Sequence, residues 1–173
     1  MIKKTLLEDI LKKRAIDEDM DDIFGEDPYD DGEAALMIFE FLGAPIAKAR
    51  PRVTRAGITF TPKKTRDYEQ SLAYAAGIKM GGKEPFDVPL KINIRFFFPI
   101  PKSFNKSKHK LAADKVLLPA KKPDIDNLIK AILDALNGIV WVDDALVCAV
   151  VAGKSYSENP RVFLKVEPIG GEQ

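Results

Sequence analysis

Between Asp124 and Gly138 the apolar side chains fall at Leu128, Ala131, Ile132, Ala135 and Leu136, a spacing of i, i+3, i+4, i+7, i+8 that makes one buried helical stripe. Asn137-Gly138 supplies the stop. Pro123 keeps Lys122 extended, so the helix opens in "PDIDN", where Asp126 or the residue beside it caps the first turn. Elsewhere the pattern changes period. "ALMIFEFLGAPI" predicts a first strand, and "RPRVTRAGITFTP" a strand pair turned at Ala56-Gly57. "TRDYEQSLAYAAGIKM" predicts a helix capped by Thr65, with Gly81-Gly82 after its end. "PLKINIRFFFPI" alternates and then turns wholly apolar, as an interior strand does. "GIVWVDDALVCAVVAGKSY" predicts a strand with a polar break at Asp143-Asp144, and "RVFLKVEPI" a last strand. Residues 99 to 123, with seven lysines and one acid, read as a long connection. The whole is an α+β pattern: a small mixed or antiparallel sheet packed with helices.

The first residues differ in kind. "KKTLLEDILKKR" predicts a short amphipathic helix with Thr5 as its cap, and the acidic, turn-rich "DEDMDDIFGEDPYDDG" then ends it. Residues 1–34 are therefore expected to be an acidic N-terminal extension and residues 35–173 the folded domain. In 173 residues, 46% of them hydrophobic, there is material for one ordinary core. No apolar run reaches the length of a membrane span or a signal peptide core, so a cytoplasmic protein is expected. Cys148 is alone in an apolar run and reads as a buried strand cysteine, which leaves no disulfide frame and no thiolate zinc site. The lone His109 argues against His-rich zinc sites and Ser/His or Cys/His pairs. Hydrolysis here would have to use carboxylates.

Three of these stand out. Asp124 and Asp126, one residue apart at a loop-to-helix junction, point the same way in an extended chain. Asp144 follows the helix on a returning segment that could bring it back to them. Three converging carboxylates suit a hard divalent cation, which activates water and stabilises charge on a phosphoryl group. Lys130, four residues after Asp126, could offset charge on a scissile phosphate. The same residues also have ordinary uses: Asp126 as a cap, Asp124 in a turn, Lys130 in an ion pair, and Asp134 as a structural partner of Lys130. Asp143 and Asp144 point to opposite faces of a strand, so only one of them readily joins the cluster.

"KPDIDNLIKAILDALNGIVWVDDALV" resembles the signature of the RusA family of Holliday junction resolvases: a Pro-Asp-X-Asp-Asn-Leu-X-Lys run opening a helix, followed by an Asp-Asp pair. "GAPIAKARPRVTRAGITFTPKKTRDYE" resembles the family's amino-terminal portion, so the likeness covers roughly residues 37–167. The resemblance implies a RusA-like fold and a homodimeric, Mg2+-dependent crossover junction endodeoxyribonuclease that nicks two opposed strands of a four-way DNA junction. It also implies Asp124, Asp126 and Asp144 as metal-binding acids and Lys130 as the catalytic lysine, with Asp143 as second choice to Asp144. Two rivals are a nuclease of the same fold acting on other branched DNA and a catalytically silent DNA-binding module.

Charge supports a polyanionic partner. The net charge of +1 hides a balance of −8 over residues 1–40 and +9 over the rest. Lys48, Arg50, Arg52, Arg55, Lys63, Lys64 and Arg66 occupy an acid-free stretch suited to successive phosphates. Lys106 and Lys108, with Lys102 and Lys110, could add a second basic arm, and Phe104 a stacking or wedging group. Tyr68 and Tyr74 are expected on the core.

Overall fold

A computed structural model describes residues 37–50, 52–53, 57 and 59–169. The expected extension over 1–34, its helix, the boundary at 34/35 and Arg55 lie outside the described residues. Among the described residues the order is β1 (Met37–Leu42), β2 (Arg52–Val53), β3 (Thr59–Phe60), α1 (Lys63–Met80), β4 (Leu90–Pro99), α2 (Lys106–Ala113), α3 (Ile125–Leu136), a 3-10 turn (Asp144–Leu146), β5 (Val147–Ser157) and β6 (Arg161–Pro168). The fold is α+β.

Four strands form a mixed sheet in the order β1-β6-β4-β5, and β2 and β3 pair separately. β4 is antiparallel to β6 and parallel to β5. A parallel pair needs a crossover, and α2 and α3 lie on the one joining β4 to β5. This connection is what brings α3 over the sheet.

α3 buries the five residues of its predicted stripe. Leu128, Ile132 and Leu136 join Leu72, Ala76 and Met80 of α1, Ile92, Ile94 and Phe96 of β4, and Val162, Leu164 and Val166 of β6 in one cluster. Each large side chain taken fully out of water contributes roughly 1.5–3 kcal/mol. β4 is interior, as its apolar run predicts. Its alternate positions are buried as well: Lys91, Asn93 and Arg95 are at most 4% exposed. Asn93 donates to Glu167 at 3.4 Å, and Lys165 pairs with the same glutamate at 2.8 Å. Burial pulls the Arg95 guanidinium down to about 10.

Several local expectations change. α1 starts two residues before Thr65, with Pro62 at its N-cap, because proline's fixed φ suits that entry; Thr65 lies in the first turn, 2% exposed. The stretch 99–123 contains α2, capped by Asn105, whose side chain accepts from Lys108 N at 2.9 Å. Residues 138–140 form a turn rather than a strand of the sheet, and Trp141 is fully buried where it bridges to Phe86. Cys148 is exposed, because β5 is an edge strand and that residue faces away from the core. Tyr68 packs on the core, but Tyr74 is 74% exposed on the outer side of α1.

Candidate active site

The polar end of α3 is built by a change of backbone. Asp124 is extended, at φ −71° and ψ 146°, and forms the N-cap. An aspartate at this position normally accepts a hydrogen bond from the first helical turn. Here it does not: the Asp124 side chain makes no cap hydrogen bond and is exposed. Asp126, in the first turn and also exposed, accepts among the described residues only from its neighbour Asn127 Nδ2, at 3.1 Å. Both carboxylates sit where the helix dipole favours negative charge, and neither is taken up by an ion pair among the described residues. Lys130 is one turn further on and exposed.

Asp134, expected beside Lys130, instead pairs with Lys48 at 2.8 Å. Lys48 also pairs with Glu69 of α1, and its backbone N donates to Asn127 O at 2.8 Å. Burial works to lower the Lys48 pKa, but Asp134 and Glu69 together outweigh it and the net shift is upward. The ammonium expected to contact a nucleic acid is therefore committed to tying α1, α3 and the chain after β1 together. Beside this tie is an open cleft of about 680 Å³ lined by Ala47, Lys48, Arg50, Lys122, Pro123, Asp124 and Asn127. Arg50 and Lys122 are exposed there.

Asp143 and Asp144 divide their work. Asp143 caps the 3-10 turn, accepting from Ala145 N at 2.8 Å, whereas half-buried Asp144 opens that turn. Asp144 does not return to the first pair within the chain. α3 is about 18 Å long, with Asp124 and Asp126 at its start. The turn after it stays at its far end, where Gly138 N donates to Trp141 O at 2.8 Å. β5 then begins with Val147 beside Leu90 and reaches the motif loop only at Lys154, beside Phe96, about 23 Å further along extended chain. Among the described residues no three His, Cys, Asp or Glu side chains form a metal-holding group.

Lys154 escaped sequence reasoning. Its Nζ donates to Lys121 O at 3.1 Å and to Pro123 O at 3.0 Å, directly ahead of Asp124. The only local signal was a charge within an apolar strand run. Of the basic residues, Lys63 pairs with Asp67 one turn along α1. Lys64, Arg66, Lys106 and Lys108 are exposed, and nothing is described of the Arg52 side chain. Phe104 packs edge-on against Tyr156 of β5 at 5.7 Å between centroids. No helix among the described residues is long and apolar enough to cross a membrane.

Comparison with known proteins places these features in context. The family profile of endodeoxyribonuclease RusA matches residues 43–167. The chain is also similar to the uncharacterized protein YqaN of Bacillus subtilis (strain 168), with 35% identity over 136 residues that span 76% of this chain and 95% of that protein.

Proposed function

The chain belongs to the RusA endodeoxyribonuclease family, and from that premise we propose that it is a Mg2+-dependent Holliday junction resolvase, a homodimer that makes paired symmetric nicks in a four-way DNA junction. The observation that carries this reading is the pair of motif aspartates that begins α3 and that, among the described residues, is used for neither side-chain capping nor ion pairing.

Their donor chemistry fits the ion. Mg2+ is held by one or two carboxylate oxygens and keeps waters and substrate phosphate oxygens as its other ligands, so a complete protein cage is not needed. Asp124 and Asp126 would hold it in one copy of the chain. Because Asp144 belongs to the other end of α3, the third acid would come from a second copy, and a symmetric pair of chains then completes two sites. When bound, the ion supplies a water of lowered pKa and charge stabilisation at the phosphodiester. Lys130, on the open face one turn from Asp126, would place its ammonium against charge developing on the phosphate or leaving oxygen. Arg50 and Lys122 in the cleft, with Lys64, Arg66, Lys106 and Lys108, would neutralise phosphates of the arms, giving affinity that falls steeply with salt.

A labelled four-way junction incubated with protein and Mg2+ tests the proposal. Paired symmetric nicks that disappear in Asp126→Asn support it. Cleavage of flaps but not junctions would replace it with a nuclease for other branched DNA, and binding without cleavage would reduce the chain to a DNA-binding module. Mixing Asp124→Asn with Asp144→Asn chains tests the shared site. Heterodimers that regain one nick support it, and two inactive partners that stay inactive together count against it.

A further inference from the structure

The Asp124 carboxylate gains no orientation from the helix it caps, since it makes no cap hydrogen bond; the helix holds this residue through its carbonyl, which accepts from Leu128 N at 3.3 Å. Something else must hold the backbone in front of it. The candidate lies on β5, the edge strand that α3 crosses over to reach. Lys154 Nζ donates to the carbonyls of Lys121 and Pro123, at 3.1 and 3.0 Å. These carbonyls lie before the helical ladder. The second is decisive: the Pro123 carbonyl and the Asp124 nitrogen share one planar peptide, so anchoring that oxygen fixes the plane from which Asp124 departs. An ammonium is suited to the task because it carries three donors and no acceptor, and it satisfies both carbonyls at once. Lys154 is itself held in register beside Phe96 of the central strand, so the anchor rests on the most buried part of the sheet.

We infer that Lys154 is a positioning residue for the acidic site: its ammonium sets the backbone of residues 121–123 so that Asp124 presents its carboxylate beside Asp126. The inference rests on the reading above that these two acids hold the metal. It assigns Lys154 no contact with substrate or ion. Groups that orient metal ligands from behind typically cost about 10- to 100-fold in metal affinity when removed.

The test uses the full chain with Lys154→Met, which keeps most of the stem and loses the donors, and Lys154→Arg, which keeps charge and donors. Amide hydrogen exchange is followed by mass spectrometry, and Mn2+ binding by titration of water proton relaxation. In Lys154→Met, exchange over residues 121–126 should speed up while residues 128–136 keep their protection, and Mn2+ affinity should fall about 10- to 100-fold. Lys154→Arg should recover part of both. Unchanged exchange over 121–126 overturns the inference whatever the metal does, and so does faster exchange with a Mn2+ titration that superimposes on the parent protein. If the parent protein takes up no Mn2+, the metal reading fails instead, and the exchange result, which needs no metal, still decides whether Lys154 holds the loop.

Discussion

The two ends of α3 use the same residue type in opposite ways. Near its carboxyl end, Asp134 is paired with Lys48, which also pairs with Glu69 and donates its backbone N to Asn127 O. At its amino end, Asp124 and Asp126 stand one residue apart, Asp124 makes no side-chain cap hydrogen bond, and neither acid has an ion-pair partner among the described residues. An aspartate at a helix N-cap gains stability by accepting from the first turn, and Asp124 does not use that option. The paired end holds the fold; on the proposed reading, the acids of the open end take an external cation. The pattern of commitment separates a structural carboxylate from a chemical one where residue type does not.

The sharpest way to break this contrast is to neutralise the open end. Asp124→Asn or Asp126→Asn should leave thermal stability unchanged or slightly raised while junction cleavage falls about a thousandfold, equivalent to several kcal/mol of lost transition-state stabilisation. Melting temperature and single-turnover nicking, measured on the same preparations, check it. A fall in stability comparable to the fall in rate would make these acids structural after all. Lys130 offers the next largest effect. It is exposed and Asp134 is engaged elsewhere, so Lys130→Ala should bind a junction with parental affinity yet cut it about 10²-fold or more slowly, the scale of one lost electrostatic stabiliser. Loss of binding in step with cleavage, seen by gel shift without Mg2+, would move Lys130 from the chemistry to the DNA surface.

How much of this contrast was legible beforehand follows from the range of each interaction. The α3 stripe from Leu128 to Leu136 was readable because periodicity is local, and its end at Asn137-Gly138 because Gly138 adopts φ +73°, which glycine tolerates. α2 was not, since "KSKHKLAA" buries only Ala112 and has no apolar stripe. Cys148 was misjudged because an apolar run does not say which strand will be the sheet edge. The free acids at 124 and 126 were visible as a motif. Their not serving as caps, and the placement of Asp144 beyond the far end of the helix, are tertiary facts. Lys154 and Lys48 find their partners across elements distant in sequence, where no local pattern reaches.

At the committed end, pH gives a cleaner probe than truncation. Tyr68, next to Glu69 on α1, has its phenol pushed up to about 12 by burial, which outweighs the opposing effect of a backbone hydrogen bond with Ile46. The folded state therefore keeps the proton through a range in which the unfolded chain has released it. The stability this contributes is complete below about pH 10 and is lost as pH climbs from about 10 to 12, a total of about 2–3 kcal/mol. Urea unfolding across that window should show the loss, and Tyr68→Phe should remove its Tyr68 share. Identical pH dependence in both proteins would mean that Tyr68 is not held neutral by the fold.

The smallest effect tests the tie itself. Asp134→Asn removes one of two carboxylates from an ammonium whose side chain is 20% exposed, while Glu69 remains. Solvent screening and the surviving partner limit the cost to about 1–2 kcal/mol, below that of breaking a fully buried pair. The change should appear as a lower urea midpoint with an unaltered slope, and cleavage at saturating Mg2+ should stay within about twofold of the parent, since roughly 1 kcal/mol of global stability leaves nearly every molecule folded. If Asp134→Asn instead slows cutting as strongly as Asp126→Asn without lowering the midpoint, the two ends of α3 are not divided between fold and chemistry, and Lys48 would have to be counted with the site it borders.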